Sequence, residues 1–250
     1  MAIQLKTPAQ IAKLREANLI VADVLDAIEA VAKAGVSTWE LNEVAARRLK
    51  QLKAESAFLG YHDYPAVLCT SVNEVVVHGI PRKDVVLKEG DLLSIDFGAF
   101  KDGWCGDSAR TLPIGQVSPE AQRLMDATRE SLEKAIAVCV PGRRLGDIGH
   151  AVQSHVEALG YSVVRQFVGH GIGRKMHEEP HVPNYGMEGR GLRLSAGLVV
   201  AIEPMINAGG AEVFTEEDGW TAVTKDGSLS AHFEHSVAIT ENGPFVLSRP

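Results

Sequence analysis

The chain reads as an α+β protein of 250 residues, folded as a single domain from two related halves, about 1–115 and 116–250. Two observations predict this. A pair of amphipathic helical stretches followed by strand-like stretches occurs twice. The two occurrences also share a register. Gly35 and Gly142, Leu41 and Ile148, and the stretches Asp91–Asp96 and Leu198–Glu203 are separated by one and the same offset along the chain, and both stretches end on an acid. One offset kept at three places predicts a duplicated unit packed about a pseudo-twofold axis. It makes Asp96 and Glu203 equivalent and favours a site between the halves.

Thr7-Pro8-Ala9-Gln10 carries a capping box with proline at the first helical position. The apolar stripe Ile11, Leu14, Ala17, Val21, Leu25, Ile28, Val31 follows. Gly35 is the expected stop. Ser37 and Glu40 form a second capping box opening a helix to about Lys53. Strand patterns then take over between Tyr64 and Thr111, the best being Val75–Val77, Leu92–Phe97 and Trp104–Thr111. Ser118-Pro119-Glu120 starts a helix to about Val138, Pro141-Gly142 breaks it, and another runs from about Ile148 to Leu159. Strands are expected again over Ser162–Phe167, Leu198–Glu203 and His232–Ile239.

Composition excludes several classes. Net charge is −7, and Arg47-Arg48 and Arg143-Arg144 are only pairs. No sequence-specific nucleic-acid footprint is therefore visible. Cys69, Cys105 and Cys139 are odd in number and match no zinc spacing. That suits free thiols in a reducing compartment. The first residues lead straight into a charged amphipathic stretch, and no apolar run approaches the ~20 residues that span a bilayer. The expectation is a cytoplasmic monomer with no membrane association.

The chemistry lies in acids at strand positions. In Leu93-Ser94-Ile95-Asp96-Phe97 the apolar residues share one face, leaving Asp96 on the other with Ser94. Asp107 shares its face with Cys105 and Ala109. Lys101-Asp102-Gly103 is a hairpin signal. Whether the turn is Lys101-Asp102 or Asp102-Gly103, Asp96 and Asp107 face the same way, opposite or diagonal. They repel unless a cation lies between them. Glu203 ends the apolar run Leu198–Ile202, and Glu234 sits inside His232–Ala238. Both are costly places for an unpaired charge. Gly169-His170-Gly171-Ile172-Gly173 sets an imidazole among glycines that permit close backbone approach. Four carboxylates and one imidazole form a hard donor set suited to two divalent ions, with Mn, Fe, Co and Zn all compatible.

His177-Glu178-Glu179-Pro180-His181 matches the H-E-x-x-H zinc motif, but Pro180 prevents the helical turn that would bring the two histidines together. No G-x-S-x-G elbow exists. His78 ends a strand before Gly79 and Pro81, at a rim. His150 and His155 are ordinary helix residues, and His62, His181, His232 and His235 carry no assignment.

Taken with Leu59–His62, Tyr64-Pro65, Asn73–Val75, His78–Pro81, Asp91–Gly98, Gly106-Asp107, Gly169–Gly173, Asn184-Tyr185, Ile202–Pro204 and Phe233–His235, the chain resembles type I bacterial methionine aminopeptidases nearly end to end. The resemblance implies the pita-bread fold, a curved antiparallel sheet flanked by two helix pairs. It implies Asp96, Asp107, His170, Glu203 and Glu234 as ligands of two metal ions, with Asp107 and Glu234 bridging. It implies removal of the first methionine of nascent polypeptides with a small second residue, by metal-activated hydroxide. Glu203 would be the proton acceptor, and His78 and His177 the substrate and charge-stabilising groups. The methionine pocket would be walled by Phe58, Tyr61, Tyr64, Cys69, Met176 and Trp220; Phe58 and Met176 depart from the better-known pattern. Some relatives hold a monovalent cation, for which Asn73, Val75 and Ser230 would be the positions. The resemblance allows a transient ribosome contact. It also implies a mature chain beginning at Ala2. The stretch between Glu203 and Glu234 is too short to hold the type II insertion. The rival readings are a proline-specific relative, which usually carries a large extra N-terminal domain, and a non-catalytic binding module of the same fold.

Overall fold

The computed structural model describes residues 3–250, so the expected start at Ala2 lies outside the described residues. Helix α1 spans Pro8–Glu29 and α2 spans Thr38–Gln51, each opened by the capping box read from the sequence. Helix α1 ends six residues before Gly35, and Val31 lies exposed beyond it. The cause is tertiary. Gly35 N–H donates to Leu87 O and Leu87 N–H to Val36 O, which draws this segment off the helix axis. Helix α3 spans Pro119–Ala137 and α4 spans Leu145–Ala158. Helix α4 begins three residues earlier than expected, because the Asp147 carboxylate accepts from Arg144 N–H at 2.8 Å. That bond caps the first turn.

The strands in chain order are β1 Glu55–Ser56, β2 Cys69–Val72, β3 Val75–Val77, β4 Leu92–Lys101, β5 Trp104–Pro113, β6 Ser162–Val163, β7 Gly169–Gly171 and β8 Glu178–Val182. They continue as β9 Val199–Ile202, β10 Met205–Asn207, β11 Val213–Thr215, β12 Ala222–Thr224, β13 Ser230–His232, β14 His235–Thr240 and β15 Gly243–Val246. Pairing is antiparallel throughout the named strands. Both β1 and β2 lie along one edge of β4, with β5 on the other; β14 and β7 flank β9. The expected strand over 162–167 shrinks to Ser162–Val163. The expected strand over 232–239 is broken at Phe233-Glu234, a break with consequences for the site.

Each helix pair covers one part of the sheet. Val21, Leu25 and Leu41 pack with Leu93, Ile95 and Phe97, the apolar face of β4. Leu124, Leu132, Ile148 and Val152 pack with Val200, Ile202 and Val237 from β9 and β14. Burying these faces turns the opposite, acid-bearing faces away from the helices. Hydroxyls join the sheet of β4 and β5 to the later strands. Ser108 Oγ donates to Glu234 O at 2.6 Å, Ser236 Oγ to Asp107 O at 2.9 Å, and Thr111 Oγ1 to His232 O at 2.8 Å.

Candidate active site

The β4–β5 hairpin pairs Lys101 with Trp104, so the two-residue turn is Asp102-Gly103. Asp102 has φ 50° and Gly103 φ 73°. Positive values at both positions suit the tight hairpin turn. In that register Asp96 lies opposite Ala109 and Asp107 opposite Gly98. The two carboxylates are therefore diagonal neighbours on one face. Asp107 is steadied from behind, where its N–H donates to Asn18 Oδ1 at 3.3 Å.

Glu203 and Glu234 stand at matching corners. Ile202 pairs with His235, and Met205 with His232. The register is therefore continuous across a gap in which Glu203-Pro204 faces Phe233-Glu234. Proline cannot donate to the ladder, so both strands open there. Glu234 N–H instead donates to Ala109 O at 2.9 Å. That bond turns the acid toward the hairpin rather than along its own strand.

His170 sits on β7, opposite Ala201. A Cβ on Gly171 would stand 2.2 Å from Glu179 O, and one on Gly169 2.3 Å from Ala201 O. Only glycines therefore allow this strand to be gripped from both sides. His170 Nδ1 is 2.9 Å from Gly171 O and donates to it. That leaves the Nε2 lone pair to face inward. Nε2 lies 3.6 Å from Glu203 Oε1 and 3.8 Å from Asp107 Oδ2.

Asp107, His170 and Glu234, each no more than 5 % exposed, offer donor atoms all within 4.8 Å of one another. Asp96 and Glu203 line the same cavity. Asp96 Oδ1, Asp107 Oδ1 and Glu234 Oε1 are buried without a hydrogen-bond partner. Orphaned carboxylate oxygens beside an inward-facing imidazole nitrogen are what a hard divalent cation satisfies, so this donor set fits a metal. Without one, burial pushes the Asp96 carboxyl up to about 7. Burial first, then neighbouring acids, holds Asp107, Glu203 and Glu234 well above the usual carboxylate range. Burial pushes His170 down to about 3. Metal binding must displace those carboxyl protons. Calorimetry of Mn²⁺ binding at pH 6 is therefore expected to show an enthalpy that varies with the buffer's ionisation enthalpy, and an affinity that rises with pH. A buffer-independent enthalpy would count against this ligand set.

Above the acids, Phe58, Tyr61, Tyr64, Cys69, Met176 and Trp220 line the cavity with His78 and His177, so every pocket residue expected from the resemblance faces it. Tyr64 packs edge-on to Phe58 and Trp220. His78 lies against Phe167 and Trp220, and burial pushes it down to about 4. Tyr61 Oη is 2.6 Å from His177 Nδ1. The H-E-x-x-H segment lies in and beside β8, not on a helix. Asn73 and Ser230 meet directly, with Ser230 N–H donating to Asn73 O at 2.9 Å, while Val75 begins β3.

Sequence reasoning missed Val77, Phe167 and Val168, which also line the cavity. It missed Asn18 and the hydroxyls of Ser108, Thr111 and Ser236 as well. Asn18 left a signal, an amide inside the apolar stripe of α1, where an unpaired polar group would be costly. The hydroxyls left none, since serine and threonine are common in strands.

The fold and site define a metallopeptidase. Residues 12–241 match the model of metallopeptidase family M24. A methionine aminopeptidase of Clostridium acetobutylicum is 49 % identical over 98 % of both chains, and one from Escherichia coli is 46 % identical over 99 % of this chain and 94 % of its own. The crystal structure of a methionine aminopeptidase from Thermotoga maritima superposes with a TM-score of 0.98 at 46 % identity, covering all of both chains. A prolidase from Pyrococcus furiosus shares the fold alone, with a TM-score of 0.81 at 22 % identity over 65 % of that chain. The chain belongs to metallopeptidase family M24, and within it to the methionine aminopeptidases.

Proposed function

We propose that the chain removes the N-terminal methionine from polypeptides whose second residue is small, with Asp96, Asp107, His170, Glu203 and Glu234 holding two divalent ions. The observation that carries this reading is a cavity lined by aromatic and apolar side chains together with acids whose carboxylate oxygens are orphaned. Asp107 and Glu234, whose donor atoms lie with that of His170 within 4.8 Å of one another, would be the pair shared between the ions. When bound, such ions supply a water acidified toward neutrality and a Lewis acid for the carbonyl.

The chain's own residues do the rest. Phe58, Tyr64, Met176 and Trp220 take up the thioether side chain and exclude water around it. Glu203 receives the proton lost by the attacking water. Tyr61 Oη is 2.6 Å from His177 Nδ1; we assign Tyr61 as the donor, which places the His177 hydrogen on Nε2, where it can donate to the developing oxyanion. His78, kept neutral by burial, stands by the leaving amide nitrogen. The α-amino group of a true N-terminus completes the binding, which makes the enzyme an exopeptidase. We read the chain as one domain of two duplicated halves, monomeric and cytoplasmic, with Asn73, Val75 and Ser230 as the place for a monovalent cation and with any ribosome contact transient. No described helix is long and apolar enough to cross a membrane.

The test uses protein stripped of metal and then given Mn²⁺, Fe²⁺, Co²⁺ or Zn²⁺. Free methionine is expected from Met-Ala-Ser and not from Met-Lys-Ser. Cleavage of Xaa-Pro peptides instead would support the proline-specific branch, and no cleavage with any metal would support a binding module.

A further inference from the structure

His232 takes part in none of these steps, yet its ring lies against the proposed proton acceptor. The residue is 1 % exposed, and Nε2 has no hydrogen-bond partner. That nitrogen is 3.8 Å from Glu203 Oε2, while His170 Nε2 is 3.6 Å from Oε1 of the same carboxylate. Glu203 is thus flanked by two imidazoles, one per oxygen.

The backbone of His232 is fixed on two sides. Its N–H donates to Thr111 Oγ1 at 2.9 Å, the same hydroxyl donates back to His232 O, and Ser94 Oγ lies 2.8 Å from that hydroxyl. Across β13 and β10, His232 pairs with Met205, two residues beyond Glu203. A buried polar nitrogen without a partner is costly, and the Glu203 carboxylate 3.8 Å away is an acceptor that can satisfy it. Closing the separation to a normal hydrogen bond takes a movement of about 1 Å at the carboxylate, within side-chain rotation of Glu203.

We propose that His232 is a positioning residue for Glu203, donating from Nε2–H to Glu203 Oε2 and fixing the carboxylate plane so that Oε1 faces the reacting centre. His170 touches the reacting centre as a ligand, whereas His232 acts only through Glu203. This rests on the reading of Glu203 as proton acceptor.

The test compares His232→Gln, which keeps an N–H donor, with His232→Leu, which keeps bulk and loses it. In Mn²⁺-loaded enzyme acting on Met-Ala-Ser, His232→Leu is expected to lower kcat about 30-fold with KM within about twofold, because misorientation by about an ångström costs rate rather than binding. His232→Gln is expected to recover kcat to within about threefold of the parent. Equal kcat in His232→Leu, or equal loss in both variants, would overturn the proposal. Nitrogen-15 spectra of histidine-labelled, Zn²⁺-loaded protein give a second readout that needs no variant of His232. Its hydrogen is expected on Nε2, with a resonance that moves in Glu203→Gln. A hydrogen on Nδ1, or no movement, would overturn the proposal even if His232→Leu did not fold. If the parent enzyme released no methionine with any metal, the functional reading would fail, while the spectra would still decide whether His232 holds Glu203.

Discussion

Glu203→Gln is expected to lower kcat by about 10³-fold, near the middle of the range for removing a general acid or base. The amide is close in shape to the carboxyl group and keeps an oxygen that can face a metal, but it cannot accept a proton at neutral pH. The loss should fall on kcat far more than on KM, because the interaction removed belongs to the transition state. Helix packing is untouched, since Glu203 projects from the corner between β9 and β10 and not into the cluster of Val200 and Ile202. Steady-state kinetics on Met-Ala-Ser, with metal content measured on the same sample, checks this. A variant that keeps its metal and works within tenfold of the parent would remove Glu203 from the role of proton acceptor.

Asp107→Asn is expected to shift stability in opposite directions with and without metal. In the metal-free protein Asp107 keeps its proton well above the usual range, because of burial first and then Asp96 and Glu203. The unfolded chain gives that proton up near the ordinary carboxylate value. The folded state therefore binds more protons, and stability falls as pH rises above that ordinary value toward the raised folded one. Asparagine does not ionise, so the variant escapes this loss. Metal-free Asp107→Asn should melt higher than metal-free parent at pH 7 and close to it at pH 3.5. With Mn²⁺ at 100 times its Kd, the parent gains about 2.7 kcal/mol, or roughly 5–10 °C for a chain of this size. The variant lacks a central ligand and should lose most of that gain. Calorimetric melting of both proteins at both pH values, with and without Mn²⁺, decides it. An undiminished metal gain in the variant would exclude Asp107 from the ligand set.

Much of this site was legible because the residues that carry it break local rules. Asp96 interrupts an alternating strand, Glu203 ends a run of five apolar residues, and His170 stands between glycines. Each is a poor choice for folding alone and so points to another use. The three helix starts at Thr7, Ser37 and Ser118 were legible for a different reason, since a cap is a contact within four residues of chain. Where a boundary depended on a distant partner, the reading slipped. Leu87 took the segment around Gly35 off the end of α1, and pairing of Ser162 and Val163 with β10 ended after two residues.

The sequence by itself determined the α+β class, the hairpin of β4 and β5, and the five candidate ligands, because the elements follow from periodicity, the four acids from the cost of charge in apolar strands, and His170 from the glycines that flank it. Only the tertiary structure decided how the ligands meet. The matched corners at Glu203-Pro204 and Phe233-Glu234 require two strands in register. The Ser108, Thr111 and Ser236 bridges join chain segments more than a hundred residues apart. The placing of His232 beside Glu203 needs both. Such contacts leave little mark on local pattern, because their free energy depends on burial and distance, and both are set only once the sheets have closed on each other.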